Sequence, residues 1–301
     1  MKTKASYGNY PLVSIITPSY NQGQFIDETI LSVERQDYPN IEHIIVDAGS
    51  TDGSVEIIKV HAQLHPDRIR WMSEPDEGHA DGINKGFRMA TGQIVAWLNS
   101  DDTYLFRSTL REVVDTFNRM PEADVIYGDA VLISQDNRLL RVLCSPAFNY
   151  GWLLRGCRIT QPAAFWRRRV MEEEQLDSSL AIAIDYEYWL RLGGKYRFVH
   201  VPRLWATDRN QPGRMILTQC DELNRQKWAI RRRYGQDMDA VYHLQHLLDK
   251  LRYGLPSRIK GLLALPKLYN ASTEAFAIRV RFESPVVTIW RQLWKKNSDL
   301  V

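Results

Sequence analysis

The chain has 301 residues, 44% of them hydrophobic, and a formal net charge of +3. That is enough apolar content for one large domain with an appendage, and too little positive charge to indicate nucleic acid as a partner. Cys144, Cys157 and Cys220 are odd in number, far apart and without metal-ligand spacing, which fits a reducing cytosol. No apolar run approaches the ~20 residues that span a bilayer, and Met1 to Tyr10 is too polar for a signal peptide.

In chain order, Leu12 to Thr17 reads as a strand, stopped by Pro18 and the polar turn from Ser19 to Gly23. Phe25, Ile26, Thr29, Ile30 and Val33 then follow helical spacing until Pro39. Ile41 to Val46 is the next strand. It runs straight into Asp47-Ala48-Gly49-Ser50-Thr51-Asp52, where Gly49 lets backbone approach a ligand and Thr51 or Asp52 can cap a following helix. A third strand, Ile69 to Met72, leads into Glu74-Pro75-Asp76-Glu77-Gly78, and a helix follows from about Ala80 to Met89. After Thr91-Gly92, the strand Ile94 to Leu98 ends in Asn99-Ser100-Asp101-Asp102. Alternating strands and helices imply a parallel sheet with right-handed connections. Asp47, the Glu74 to Asp76 turn and the Asp101-Asp102 pair then share the rim where open α/β sheets bind ligands. Neighbouring carboxylates repel unless a cation lies between them, and Mg²⁺ or Mn²⁺ suits hard oxygen donors.

These segments, from Val13 to Asp102, resemble a family 2 glycosyltransferase of the GT-A fold. The resemblance rests on Thr17-Pro18-Ser19-Tyr20-Asn21, Val46-Asp47-Ala48-Gly49-Ser50-Thr51-Asp52-Gly53, Glu74-Pro75-Asp76-Glu77-Gly78 through Ile83-Asn84-Lys85-Gly86, and Asn99-Ser100-Asp101-Asp102. Tyr127-Gly128-Asp129, Gln161-Pro162-Ala163 and Asp185-Tyr186-Glu187-Tyr188-Trp189 extend it to about Asp208. It implies a Rossmann-like mixed sheet, parallel in its N-terminal half and flanked by helices. The expected domain is 1–233, with a nucleotide half over about 11–105 and an acceptor half over about 106–233.

The resemblance also implies roles. Thr17, Pro18, Tyr20 and Asn21 border the nucleotide, Asp47 reads its base or ribose, and Glu74 and Asp76 belong to the donor side. Asp102 holds the divalent metal, and Asp101 supports the ribose and the metal site. Lys85 either approaches the diphosphate or is a solvated helix lysine, and Arg209 sits where relatives carry a basic loop that closes over the diphosphate. Asp185 is the expected general base, although an Asp at a helix start is most often an N-cap. Glu187 is the reserve, and Gln161, Glu187 and Trp189 are expected on the acceptor side. Asn84 is expected to fix its helix to the strand before Asp101, and Trp97 to lie in the core. Ala48 replaces an acid common in relatives and leaves nucleotide preference open.

The implied activity is single, inverting transfer from a nucleotide-sugar donor to a glycan or lipid-linked acceptor in surface polysaccharide synthesis. The Gln-x-x-Arg-Trp motif of processive relatives is absent. Two other readings stand beside it. A nucleotidyltransferase would open with a Gly-rich, Arg-containing loop, where this chain has Pro18 to Gly23. A non-catalytic nucleotide-sugar binder would not need Asp101, Asp102 and Asp185 together. Residues 234–301 mix Arg and Lys with Leu and Trp, as in Ile289-Trp290-Arg291 and Leu293-Trp294-Lys295-Lys296. That pattern suits a basic amphipathic helix on an anionic membrane surface on the cytoplasmic side, or one packed on protein.

Overall fold

The computed structural model describes residues 10–214 and 218–234. Strands and helices alternate first: β1 (Val13–Ser19), α1 (Ile26–Glu34), β2 (Ile41–Asp47), α2 (Ser54–Leu64), β3 (Ile69–Ser73), α3 (His79–Met89) and β4 (Ile94–Trp97). These four strands lie in the order β3-β2-β1-β4 and are all parallel. Every residue of β1, β2 and β4 is buried. Helices on both faces explain why these strands read as continuous apolar runs rather than as alternating patterns.

The second half adds α4 (Thr109–Arg119), β5 (Val125–Ser134), β6 (Leu139–Leu143) and α5 (Tyr150–Arg155). A 3-10 turn at Gln161–Ala163, β7 (Ala164–Arg167), α6 (Arg168–Glu173), α7 (Ile184–Gly193), β8 (Phe198–Asn210) and α8 (Cys220–Arg233) follow. β7 pairs antiparallel with both β4 and β5, β6 pairs antiparallel with β5, and β8 runs parallel to β5. The result is an eight-stranded mixed sheet. Two reversals of direction make β8 run the same way as β4. The carboxyl ends of the four parallel strands and of β8 therefore point to one rim.

Alternate residues of one strand face opposite layers. Ile15 of β1 joins Val33 of α1 and Leu110, Val113 and Phe117 of α4 in one cluster. Ile26 and Ile30 of α1 meet Ile45 and Ile58 in a second. Ile16 faces α3 instead, where a Cβ on Gly86 would lie 2.3 Å from its Cγ2, so only glycine lets this helix sit so close. An aromatic layer extends that side. Phe87 lies 5.9 Å from Trp166, which lies 5.8 Å from Trp189, and Trp97 stacks on Trp189 at 6.5 Å. Trp97 is a core residue, as expected.

Pro18 does not stop β1, which continues to Ser19. Pro18 points its backbone to the β4 side, as Ile16 does, and β4 pairs only as far as Ile16. A missing N–H there removes no ladder bond. Described residues as far as Ile230 form one compact unit, and Arg231–Tyr234 belong to a second. Apart from Tyr234, the basic region expected over 234–301 lies outside the described residues. Among the described residues, no helix is long and apolar enough to cross a membrane.

Candidate active site

The rim is built by loops that bind each other. Asp47, fully buried at the end of β2, accepts from Gly49 N at 3.0 Å, Ser50 N at 2.9 Å, Ser50 Oγ at 2.5 Å and Ser73 Oγ at 2.7 Å. Its carboxylate thus shapes the loop after β2, where Gly49 has φ +79°. Asn21 knits the loop after β1 to the same segment. Its Oδ1 accepts from Thr51 N at 2.9 Å, and its N–H donates to Ser50 Oγ at 2.8 Å. Asp52 accepts from Gly23 N at 2.8 Å and from Ser54 N at 3.1 Å. Tyr20, in the loop after β1, stays 61% exposed, with an aromatic ring available to a flat ligand.

The acidic pair sits where the β4 exit meets β8. Thr207 N donates to Thr103 O at 2.7 Å and Leu105 N to Trp205 O at 2.9 Å, so the two segments pair just beyond the acids. Asp102 is 3% exposed. Its Oδ1 accepts from Arg209 N at 2.8 Å and its Oδ2 from Asn99 Nδ2 at 3.2 Å. A carboxylate has about four acceptor sites, so each oxygen keeps capacity toward a cation. Asp101 Oδ2 accepts from Gln211 Nε2 at 3.3 Å. Burial drives the Asp102 carboxyl well above the usual carboxylate range, and the charges of Asp101 and Asp208 push it further. Burial also raises Asp101, against the opposing pull of Gln211 and Arg214. Among the described residues, no three His, Cys, Asp or Glu side chains form a group that could hold a metal by themselves. The donor set at the β4 exit is a pair of hard carboxylates, and Mg²⁺ usually takes one or two carboxylates and completes its shell with substrate phosphates and water.

Asp185 lies inside the first turn of α7, one residue past Ile184, and the N-cap position belongs to Ala183. The simple capping reading therefore does not apply. Asp185 Oδ1 accepts from Tyr186 N at 2.8 Å. Burial raises its carboxyl, Lys227 opposes that, and the charge of Asp208 adds to it. The charge of Asp208 adds a smaller upward push to Asp101, Asp102 and Asp185, behind burial in each case. Its own partner is Arg214, at 2.8 Å.

Several expected roles do not fit the side chains' positions. Glu187 is fully buried and paired with Arg191 at 2.9 Å, next to the Arg191–Glu174 pair at 2.6 Å, so it braces α7 instead of facing an acceptor. Trp189 belongs to the aromatic layer and is 0% exposed. Gln161 donates to Trp97 O at 2.6 Å and accepts from Asn99 at 3.2 Å, which fixes the β4 exit. Thr17 turns inward to His43 Nε2 at 2.9 Å. Asn84 binds Leu176 through both of its amide atoms, at 3.0 and 2.9 Å, and so anchors α3 to the segment before α7, not to the Asp101 strand. Lys85 reaches Glu74 at 3.1 Å and Pro75 O at 3.0 Å, closing the loop after β3, whose Asp76 accepts from Gly78 N at 2.9 Å. Arg209 is 1% exposed, with its guanidinium occupied by protein partners.

Sequence reasoning missed Asp208, Arg214 and His79. Asp208 had a readable signal, an acid near a strand end before a Gly-containing turn, as at Asp47. His79 opens α3 and meets Trp97 edge-on at 6.4 Å. Burial lowers it to about 4, against a hydrogen bond with Asn99 that favours its charged form, so the imidazole is neutral near pH 7.

The family model for glycosyl transferase family 2 matches residues 14–172. A glycosyltransferase of Rickettsia bellii is 29% identical over 197 residues, 61% of this chain and 27% of that protein. A PGL/p-HBAD biosynthesis glycosyltransferase of Mycobacterium bovis is 30% identical over 158 residues, 52% of this chain and 60% of that protein. The chain thus spans about a quarter of the first relative and three fifths of the second. Among solved structures, a mannosyltransferase of Pyrobaculum calidifontis in complex with GDP-Man and Mn²⁺ superposes with a TM-score of 0.59 at 22% identity, over 81% of this chain and 70% of that one. S. aureus TarS in complex with UDP-GlcNAc has a TM-score of 0.59 at 16% identity, over 80% and 72% of the two chains. These likenesses establish the GT-A fold.

Proposed function

The chain belongs to glycosyl transferase family 2, and from that premise we propose that it transfers one sugar, with inversion, from a nucleotide-sugar to an acceptor hydroxyl. The observation that carries this reading is the Asp101-Asp102 turn at the exit of β4, where both Asp102 oxygens keep acceptor capacity on the rim to which the parallel strands and β8 point. Asp185, in the first turn of α7, is the carboxylate this reading assigns as the base. The acceptor oxygen attacks the anomeric carbon, the bond to the diphosphate oxygen breaks with its electron pair, and Asp185 takes the hydroxyl proton. General-base catalysis of this kind contributes about 10²–10⁴-fold. Asp102 and Asp101 are the residues that would hold Mg²⁺ or Mn²⁺, which as a Lewis acid supplies charge stabilisation to the leaving diphosphate. Tyr20 and the loops held by Asp47 and Asn21 form the nucleotide side.

The acceptor is a glycan or lipid-linked hydroxyl in surface polysaccharide synthesis, made at the cytoplasmic membrane face. The test is Asp185→Asn. Donor affinity should change little, and transfer should fall by roughly 10²-fold or more because the amide cannot accept a proton. The wild-type product should carry the inverted anomeric configuration. Near-normal transfer by the variant would remove Asp185 from the mechanism, and retention would overturn the single displacement.

A further inference from the structure

An arginine as deeply buried as Arg209 persists only where its donors are matched. They are matched here by several separate segments. Nε donates to the Asp101 carbonyl at 2.7 Å, Nη1 to Gln135 O at 3.1 Å and Asn137 Oδ1 at 2.7 Å, and Nη2 to Glu28 Oε2 at 2.7 Å. The guanidinium also lies 4.9 Å over the Phe25 ring. The main-chain N–H of the same residue meets Asp102 Oδ1 at 2.8 Å. Asn137 Nδ2 donates to Glu28 at 3.1 Å, closing a ring of Arg209, Asn137 and Glu28. Next to Glu28 on α1, Thr29 Oγ1 donates to the Asp102 carbonyl at 2.8 Å. One residue therefore touches both acids and ties their turn to α1 and to the turn between β5 and β6.

We propose that Arg209 is a positioning residue: it holds the Asp101-Asp102 turn in the geometry that binds the divalent cation and does not itself touch the diphosphate. The assignment rests on the metal reading given under Proposed function. Two adjacent carboxylates share a cation only if the backbone between them is fixed, and the Asp101 carbonyl that Arg209 grips lies in that stretch. Outer-shell partners of metal ligands commonly contribute 10–100-fold to metal affinity.

The test is Mn²⁺ binding by the full chain, followed through the EPR signal of free Mn²⁺, with saturating UDP in one arm and GDP in another. Thermal midpoints are read on the same samples. Arg209→Lys keeps the charge but loses the planar fork, and should raise the Mn²⁺ dissociation constant about tenfold or more. Glu28→Gln, at a side chain 45% exposed, keeps the fold and should weaken Mn²⁺ binding in the same direction. It decides the matter if Arg209→Lys does not fold. A lower thermal midpoint with unchanged Mn²⁺ affinity would make Arg209 purely structural and overturn the assignment. Loss of UDP and GDP affinity in metal-free buffer would overturn it in favour of direct diphosphate contact. A wild type that takes up no Mn²⁺ in either arm would overturn the metal reading itself.

Discussion

His43 illustrates how burial by itself sets the chemistry of a side chain. It sits fully buried on β2 with Nε2 against Thr17 Oγ1, and desolvation, helped by the charge of His61, lowers it to about 3. In the unfolded chain its value is about 6.5. The folded state therefore requires the neutral ring. That contribution is complete above about pH 6.5 and is lost as pH falls toward 3. His43→Gln cannot take up this proton, so its thermal midpoint should fall less steeply than the wild type's between pH 7 and 4.5. Parallel slopes in a pH series of melting curves would show that His43 does not contribute. The same physics acts with opposite sign on Asp102, whose burial resists the charged form.

Helix α3 shows how an element places a site by approaching the sheet closely. The Gly86–Ile16 approach lets it lie against β1, while its start carries His79 and its middle carries Lys85 toward Glu74. Gly86→Ala should gain up to about 1 kcal/mol of helix propensity, yet the added methyl would overlap Ile16. Overpacking of this kind costs about 1–3 kcal/mol, and the contact at 2.3 Å is short enough for that cost to prevail. Denaturant unfolding should show a net loss of stability, and an equal or more stable variant would mean that α3 can back away from the sheet. The periodicity of α3 was legible in the sequence. The close approach was not, because a glycine within a helix reads locally only as a weak helix former.

At the scale of the whole molecule, the proposed membrane association depends on residues 234–301, whose Arg, Lys, Trp and Leu pattern favours an anionic surface. Full-length protein should bind vesicles containing anionic lipid, and binding should weaken as salt rises, because the Debye length shrinks to about 3 Å at 1 M salt. Truncation from about Gly235 onward should remove the binding while the catalytic unit stays folded. Salt-independent partition, measured by sedimentation, would favour packing on protein instead.

The sequence by itself determined the alternating parallel half, the acids at its strand ends and the family, because those features are written in short windows. Apolar runs mark buried strands, and turns with Asp, Gly and Pro mark their exits. The tertiary structure alone decided which of those residues face the site. Arg209 and Asp208 are neighbours in the chain, yet one is gripped by Glu28 and Asn137 while the other pairs with Arg214. Glu187 and Trp189 occur in a motif with Asp185 but point into the core. Burial and long-range partners set those differences, and both depend on how β8 and α7 return to the sheet, which no local window contains.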